Sequence, residues 1–267
     1  MKLAQRLAAE GIGSALLAAA VVGSGVMAER LAGGNVAIAL LANTGATVAV
    51  LATLIALLGP VSGAHFNPAV SMVQAARGAL PWPDAAAYVL IQVLGCCLGV
   101  LLAHAMFDLP WVQSSVHIRT GPAQWFAEGV ATFGLLLVVL GHRRTEDAAW
   151  MVAAWIGAAY WFTASTSFAN PAITIARSLS DTFAGIRPTD VPAFIAAQLV
   201  GAGVALLIAR PLFGARRVHS GATQEVSSGI PPAAGVHERG IRPRNDLPQP
   251  GLRDVAQHPR VDSQRGH

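Results

Sequence analysis

His65-Phe66-Asn67-Pro68-Ala69-Val70-Ser71 and, later in the chain, Ala169-Asn170-Pro171-Ala172-Ile173-Thr174 are the two stretches that decide the fold. Asparagine is a favoured helix N-cap because its side-chain oxygen accepts hydrogen bonds from first-turn amides. Proline suits the first helical position, where an N–H would have no partner. Each Asn-Pro-Ala therefore predicts a helix start, at 67–76 and at 170–179. About ten residues of helix reach roughly 15 Å, half of a bilayer's hydrocarbon core, which is typical of half-helices that meet at the membrane midplane.

The composition of the chain indicates a membrane protein. Of 267 residues, 54% are apolar and only 12% are charged, and the mean hydropathy is +0.52. A soluble protein would carry about a quarter charged residues. Six stretches have the length and apolar character of membrane-spanning helices: Leu7–Ala28, Val36–Leu58, Ala85–Phe107, Trp125–Gly141, Ala148–Thr163 and Val191–Phe213.

Matching landmarks divide the chain into two repeats. Each repeat contains, in the same order, an Ala-Glu-Gly, an Asn-Pro-Ala and a glutamine early in its last span. Three spans per repeat is an odd number, so the second repeat must be inverted relative to the first. We therefore expect an all-α membrane protein with six transmembrane helices and two half-helices in an inverted repeat. The expected parts are a first repeat at 1–107, a connecting loop at 108–124, a second repeat at 125–213 and a tail at 214–267.

Charge distribution gives the expected orientation and the character of the tail. Eight Lys or Arg residues near the ends of the spans, with Arg216 and Arg217 at the start of the tail among them, fall on one side and four on the other, which favours cytoplasmic termini in a multi-pass protein of the cell (inner) membrane. Residues 214–267 hold eight Arg, five acidic residues and no aromatic residue, which predicts a disordered cytoplasmic tail. Such a tail is either simply solvated or in contact with anionic lipid or nucleic acid, and its mixed charges favour the first, without a nucleic-acid partner.

The paired turns, the repeated Ala-Glu-Gly and the early glutamines resemble the aquaporin and aquaglyceroporin (major intrinsic protein) family from Leu7 to Phe213. The resemblance implies a bundle of six helices and two half-helices, commonly a homotetramer in the lipid bilayer with one pore per subunit. It implies passive flux of water or small neutral solutes. The expected pore centre consists of the two Asn-Pro-Ala turns: Asn67, Pro68, Ala69, Asn170, Pro171 and Ala172.

Helix dipoles give this pore centre a physical role. Two half-helices that meet by their N-termini place about half a positive charge each at the centre. If Asn67 and Asn170 cap through their oxygens, their amide N–H groups are available to a passing solute. A positive centre with aligned donors admits neutral hydroxylic molecules and resists cations, including protons.

The presence of ionisable and polar groups inside membrane spans requires an explanation, because their burial in a membrane costs free energy. By resemblance, Glu10 and Glu128 hydrogen-bond the irregular chain that leads into each half-helix, with Gln92 and Gln198 as further buried support. The alternative reading of the two glutamates is proton coupling in a carrier. His65 resembles the family position that lines the inner half of the pore.

The outer constriction departs from the family pattern, which has Arg directly after the second Asn-Pro-Ala. Here Ile173 stands at that position, and Arg177 lies one helical turn further on. Arg177 either supplies the cation-excluding charge, exposed at the mouth, or is a surface residue paired with Asp181. The other filter candidates are small: Thr47, Gly157 or Ala158, and Thr166. They predict a wide mouth that suits glycerol, urea or neutral metalloid hydroxides.

The sequence indicates a channel rather than an enzyme. It has no catalytic, metal-binding or cofactor-binding pattern. The rival interpretations are a secondary transporter, since inverted repeats with broken helices occur there too, and a water-selective channel.

Overall fold

The structure, a computed structural model, describes residues 1–142 and 145–214, and its regular elements there are all helical. The helices are α1 Leu3–Leu31, α2 Val36–Ser62, α3 Pro68–Ala76, α4 Trp82–Met106, α5 Pro122–Gly141, α6 Thr145–Phe162, α7 Pro171–Arg177 and α8 Val191–Phe213. A single 3₁₀ turn at Pro188–Asp190 leads into α8. The expected tail at 214–267 lies outside the described residues, apart from Gly214.

The six long helices and the two short ones lie where the sequence predicts them. Within residues 1–142 and 145–214, five helices are long and apolar enough to cross a membrane: α1, α2, α4, α5 and the helical segment that ends with α8. The remaining long helix, α6, has 18 residues and carries Glu146 and Asp147 in its first turn, which lowers its apolar character. The second half-helix is shorter than predicted, because it ends at Arg177 rather than Leu179.

Helix packing repeats between the two halves of the chain. Helix α1 packs against α4, and α5 packs against α8 in the same way. Glycines permit both contacts: a Cβ on Gly95 or Gly99 would meet the α1 backbone, and a Cβ on Gly201 would meet the backbone at Gly129. The half-helices connect the repeats, since α3 contacts α8 and α7 contacts α4.

Candidate pore

The two Asn-Pro-Ala turns cap their half-helices through the asparagine side chains. Asn67 Oδ1 accepts from Ala69 N at 2.9 Å, and Asn170 Oδ1 accepts from Ala172 N at 3.0 Å and Ile173 N at 3.3 Å. Both asparagines have extended backbone, with φ of −154° and −155°. Each therefore uses its oxygen on its own helix, which leaves the amide nitrogen for other partners.

The asparagine amides cross between the repeats. Asn67 Nδ2 donates to Ala169 O at 2.7 Å, and Asn170 Nδ2 donates to Phe66 O at 2.7 Å. A primary amide has two hydrogens, so one on each asparagine remains for the cavity that both residues line. The sequence interpretation left both hydrogens available to a solute. The structure corrects this, because one of each pair ties the two half-helices together.

Glu10 holds the chain that leads into α3. Its Oε1 accepts from Ser62 Oγ at 2.6 Å and His65 N at 2.9 Å, and its Oε2 accepts from Phe66 N at 2.7 Å. Phe66 has a φ of +46°, a left-handed conformation that costs energy for a residue with a Cβ. The carboxylate stabilises this conformation by satisfying two successive amides that the helix does not reach.

Glu128 does the same for α7. Its Oε1 accepts from Phe168 N at 2.8 Å and its Oε2 from Ala169 N at 2.9 Å. Ala169 has a φ of +47°, matching Phe66 in the first repeat. The structure therefore places both glutamates beside the irregular chain, the arrangement that the sequence analysis expected by resemblance.

Gln92 and Gln198 complete the two supports. Gln92 Nε2 donates to Glu10 Oε2 at 2.8 Å and to Ser71 Oγ at 2.9 Å. Gln198 Nε2 donates to Glu128 Oε2 at 2.6 Å and to Thr174 Oγ1 at 2.9 Å. All four side chains of the two pairs are fully buried. Each glutamine thus connects a carboxylate to the second turn of its half-helix.

A cavity of about 570 Å³ runs past the two turns. We call its end near Gln74 and His142 the inner end, and its end near Thr47, Tyr160 and Arg177 the outer end. Its walls are mainly apolar, with side chains of α1, α2, α5 and α6: Leu17, Val21, Leu51, Ile55, Leu135, Val139, Val152 and Ile156. Polar groups lie at the two ends and at the asparagines, so a solute meets separate polar positions along an apolar passage.

His65 lines the inner half of the cavity. Its Nδ1 lies 3.0 Å from Ser71 Oγ, and its ring contacts Tyr88 edge-on at 5.5 Å between centroids. Its backbone N–H is fixed by Glu10. The imidazole is therefore held by two ring contacts, and its backbone is held by Glu10.

The outer end differs from the sequence prediction on α6. Ala158 is exposed, and a Cβ on Gly157 would meet Val48 Cγ2 at 2.6 Å, so neither residue lies at the cavity. Tyr160 lines the cavity instead, with its hydroxyl 3.4 Å from Thr47 Oγ1. The predicted position was two to three residues too early, and the i, i+4 pair Ile156 and Tyr160 was the signal that could have identified the cavity face.

The segment before the second turn also contributes an aromatic residue. Thr166, the expected contributor, does not line the cavity, whereas Ser167, Phe168 and Ala169 do. The extra residue in this repeat shifts the register and brings Phe168 inward. Two aromatic rings, Tyr160 and Phe168, thus lie at an outer end that the sequence analysis expected to hold only small residues.

Arg177 is buried rather than exposed at the mouth. Only 3% of it is accessible, its Nε donates to Ala184 O, and its guanidinium carbon lies 3.4 Å from the Phe168 ring centroid. Asp181 instead accepts from Val116 N at 3.0 Å, so the alternative reading, a surface pair with Asp181, is also not what the structure shows. Arg177 and Ile173 both line the cavity. The apolar ring and the backbone carbonyl together hold the guanidinium at the outer end.

A second buried guanidinium, Arg119, comes from the loop between the repeats. Its Nε donates to Gly185 O at 2.7 Å, and its Cζ lies 5.0 Å from the Phe168 ring centroid. Burial lowers the pKa of Arg119 to about 10, so the side chain keeps its charge at neutral pH. The sequence analysis missed Arg119, because nothing in a loop sequence shows which arginine turns inward.

The outer end carries a positive field. The pKa of His117, in the same loop, is lowered first by its partial burial and then by the charges of Arg119 and Arg177. Among the described residues, neither arginine forms a salt bridge with a carboxylate. The arrangement suits neutral solutes that accept hydrogen bonds and repels cations.

Comparisons with known proteins agree with this geometry. A family described as "Major intrinsic protein" matches residues 1–164. Aquaglyceroporin AqpS of Rhizobium meliloti (strain 1021) is 57% identical over 159 residues, which cover 59% of this chain and 68% of that protein. The probable glycerol uptake facilitator protein of Thermotoga maritima is 32% identical over 99 residues, 33% of this chain and 42% of that protein. The aquaglyceroporin structure from Plasmodium falciparum shares the fold, with a TM-score of 0.59 at 20% identity over 78% of this chain and 95% of that one.

Proposed function

Because the chain belongs to the major intrinsic protein family, we propose that it is a passive transmembrane channel for small uncharged solutes, glycerol among them, and for water. One observation carries the proposal. The cavity passes between two half-helices whose capping asparagines are crossed by hydrogen bonds, and it is lined by both asparagines. A cavity at this position has donors and two helix N-termini, and none of its described lining residues is acidic.

The half-helices provide the barrier to cations. Each α-helix N-terminus carries a partial positive charge, and here two of them meet at the same point of the cavity. A neutral hydroxyl accepts the free amide hydrogen of Asn67 or Asn170 as it passes. A cation would lose its hydration shell at a position that offers only repulsion.

The solute class follows from the mixture of apolar walls and separated polar groups. Long apolar faces of α1, α2, α5 and α6 suit the carbon side of a polyol or the flat face of urea, while the ends offer hydrogen bonds. Glycerol, urea and neutral metalloid hydroxides all have this character. The relatives whose names specify an aquaglyceroporin or a glycerol uptake facilitator support the same class.

We place the selectivity filter at Thr47, Tyr160, Phe168, Ile173 and Arg177. Arg177 takes over the charge that Ile173 lacks, from a position one turn further along α7. Its two terminal nitrogens have no hydrogen-bond partner in the described part of the chain, and the residue lines the cavity. They are therefore available as donors to a solute oxygen.

A secondary transporter with proton coupling is less well supported. Proton coupling requires a carboxylate that exchanges protons with the passage. Glu10 accepts four hydrogen bonds and Glu128 three, from backbone amides and side chains, and neither lines the cavity. Both carboxylates therefore have a structural role, and protonation would disrupt the hydrogen bonds that they accept.

We further propose a homotetramer in the inner membrane with both termini cytoplasmic. The Lys and Arg distribution supports the orientation. Large apolar side chains are exposed along the long helices, for example Leu41, Leu57, Leu90 and Leu207, and such surfaces suit lipid and neighbouring subunits. Cross-linking in membranes gives the subunit number, and a protease-accessible tag at either end gives the orientation.

The experiment that tests the channel is light-scattering flux in proteoliposomes with the purified full chain. Water, glycerol, urea and arsenous acid are compared at graded concentrations. The flux through a channel stays nearly linear with solute concentration. We expect glycerol flux well above that of liposomes without protein. Saturation at low concentration would indicate a carrier, and water flux without any solute flux would indicate a water-selective channel.

A further inference from the structure

The turn Phe183-Ala184-Gly185 lies beside the outer end of the cavity, between α7 and the 3₁₀ turn. All three of its carbonyl oxygens accept from guanidinium groups. Arg119 Nη2 donates to Phe183 O at 3.3 Å and Arg119 Nε donates to Gly185 O at 2.7 Å, while Arg177 Nε donates to the carbonyl between them, that of Ala184. The two arginines thus share one three-residue turn, and we call this turn the carbonyl turn.

Arg119 itself is fully engaged. Besides its two bonds to the carbonyl turn, its Nη1 donates to Ser165 O at 3.4 Å and its backbone N–H donates to Asp190 Oδ2 at 2.9 Å. It is absent from the lining of the cavity. Each nitrogen of the Arg119 guanidinium therefore has a protein partner. In the described part of the chain, the two terminal nitrogens of Arg177 have none.

The carbonyl turn is enclosed on its other side. A Cβ on Gly185 would meet Ser115 Oγ and the Ser180 carbonyl oxygen. Ile186 N donates back to Arg177 O at 3.4 Å, which links the end of the turn to the end of α7. The position of Ala184 O is thus fixed by the inter-repeat loop on one side and by the end of α7 on the other.

We propose that Arg119 is a positioning residue for solute selection, which holds the carbonyl turn so that Ala184 O fixes the guanidinium of Arg177 at the outer end of the cavity. This role rests on the proposed channel function. It means that the loop between the repeats contributes to solute selection without contacting the solute. Arginine suits the role because its planar group can donate to several carbonyls at once, whereas the lysine ammonium is a point charge. Geometry, and not charge alone, is therefore the property that Arg119 supplies.

The test compares Arg119→Lys, which keeps the charge, with Arg119→Gln, which removes it. Gly185→Ala displaces the same turn without touching either arginine. Arg30→Gln is the matched control, because Arg30 is an exposed outer arginine that donates to a single carbonyl, that of Phe107, at 3.2 Å. Each variant is reconstituted for K⁺ leak and glycerol flux, and each is studied by hydrogen–deuterium exchange of the peptide that covers residues 182–187.

We expect the ratio of K⁺ leak to glycerol flux to rise about fivefold in Arg119→Lys, Arg119→Gln and Gly185→Ala, the change for one lost buried hydrogen bond at Arg177. The 182–187 peptide should exchange faster in the same three variants, and Arg30→Gln should leave both readouts unchanged. In an Arg177→Ala background, Arg119→Gln should raise the leak ratio by less than about twofold, because its effect passes through Arg177.

Several results would overturn the proposal. A wild-type leak ratio in Arg119→Lys would show that charge alone matters, and an undiminished effect in the Arg177→Ala background would show that Arg119 acts directly. Unchanged exchange in all three variants would show that Arg119 does not hold the turn. The exchange readout does not depend on transport, so a wild-type chain without flux of water or of any tested solute would contradict the channel function separately from the turn.

Discussion

The two repeats support their half-helices in the same way but present different chemistry at their cavity ends. In each, a buried glutamate accepts from two successive amides before the turn, and a glutamine connects that glutamate to a hydroxyl in the half-helix. At the inner end the polar lining residues are His65, Gln74 and His142. At the outer end they are Tyr160, Phe168 and two buried guanidiniums.

The structural support and the selectivity of the cavity therefore depend on different residues. The glutamate and glutamine supports stabilise left-handed backbone that any solute channel of this form needs, so they are the same in both repeats. The cavity ends meet the solute, and among the described lining residues the arginine, Arg177, lies at the outer end. Substitutions in the shared support should therefore affect folding, whereas substitutions at the outer end should affect selectivity.

The largest effect is expected from removal of a support. Glu10→Ala removes the acceptor of four hydrogen bonds and Glu128→Ala removes the acceptor of three. Each should lower the free energy of unfolding by about 4 kcal/mol or more, with the greater loss for Glu10. Thermal unfolding in detergent measures this, with Glu29→Ala as control, because Glu29 is exposed and accepts a single hydrogen bond among the described residues, from Phe183 N at 3.3 Å. Equal stability of Glu10→Ala and wild type would contradict the shared-support comparison.

The next effect concerns the pore centre, where both repeats contribute equally. Asn67→Asp and Asn170→Asp each replace a donor by a carboxylate beside two helix N-termini, which offsets the positive field. Each should either raise K⁺ leak or lower glycerol flux by about tenfold, which is the effect expected for the loss of one charge-assisted interaction. Asn35→Asp, at the N-cap of α2 outside the cavity, is the control. If the pore-centre variants keep wild-type flux and ion exclusion, the crossed asparagines are not the barrier.

A moderate effect is expected at the outer end alone. Arg177→Ala should keep glycerol flux and raise K⁺ leak by about fivefold or more, because it removes the charge that lines the cavity. Ile173→Arg should narrow the passage and reduce glycerol flux more than water flux. Both are measured as flux ratios in proteoliposomes. No change in leak for the first variant, together with no change in solute preference for the second, would place the filter elsewhere.

The smallest effect is expected from exchange of equivalent hydroxyls. Ser71→Thr and Thr174→Ser keep the acceptor for Gln92 or Gln198 and change one methyl group. Each should change the free energy of unfolding by about 1 kcal/mol or less, as for a single buried methyl group. Thermal unfolding and glycerol flux close to wild type are the expected results. A large loss in one repeat only would show that the supports are not equivalent.

The sequence predicts the fold well because apolar length and repeated turns leave few alternatives. Each long helix needs about 20 apolar residues, and the two Asn-Pro-Ala turns specify where the short helices begin. Their ends are less certain, as the early end of α7 at Arg177 shows. No proline or glycine marks this end, so tertiary contacts decide it.

The outer end could not be predicted equally well, because its residues come from segments without a period. Tyr160 depends on the rotation of α6 about its axis, which Gly157 sets by its close contact with α2. Phe168 and Thr166 exchange roles through one extra residue in irregular chain. Arg119 depends on the path of a loop whose buried contacts are backbone carbonyls, and carbonyls have no signature in the sequence.

The crossed amide bonds between Asn67 and Ala169, and between Asn170 and Phe66, bear on biogenesis and ancestry. When only the first three spans of a nascent chain have inserted, the amide of Asn67 and the carbonyl of Phe66 lie in the membrane interior without these partners. The partners, Ala169 and Asn170, have not yet been inserted. The barrier to ions therefore closes only when translation has delivered the second turn. The two bonds are also reciprocal, because each half of the chain donates one hydrogen bond to the other and accepts one from it. Such a pair is consistent with two copies of one ancestral half, since gene duplication followed by fusion would preserve both bonds.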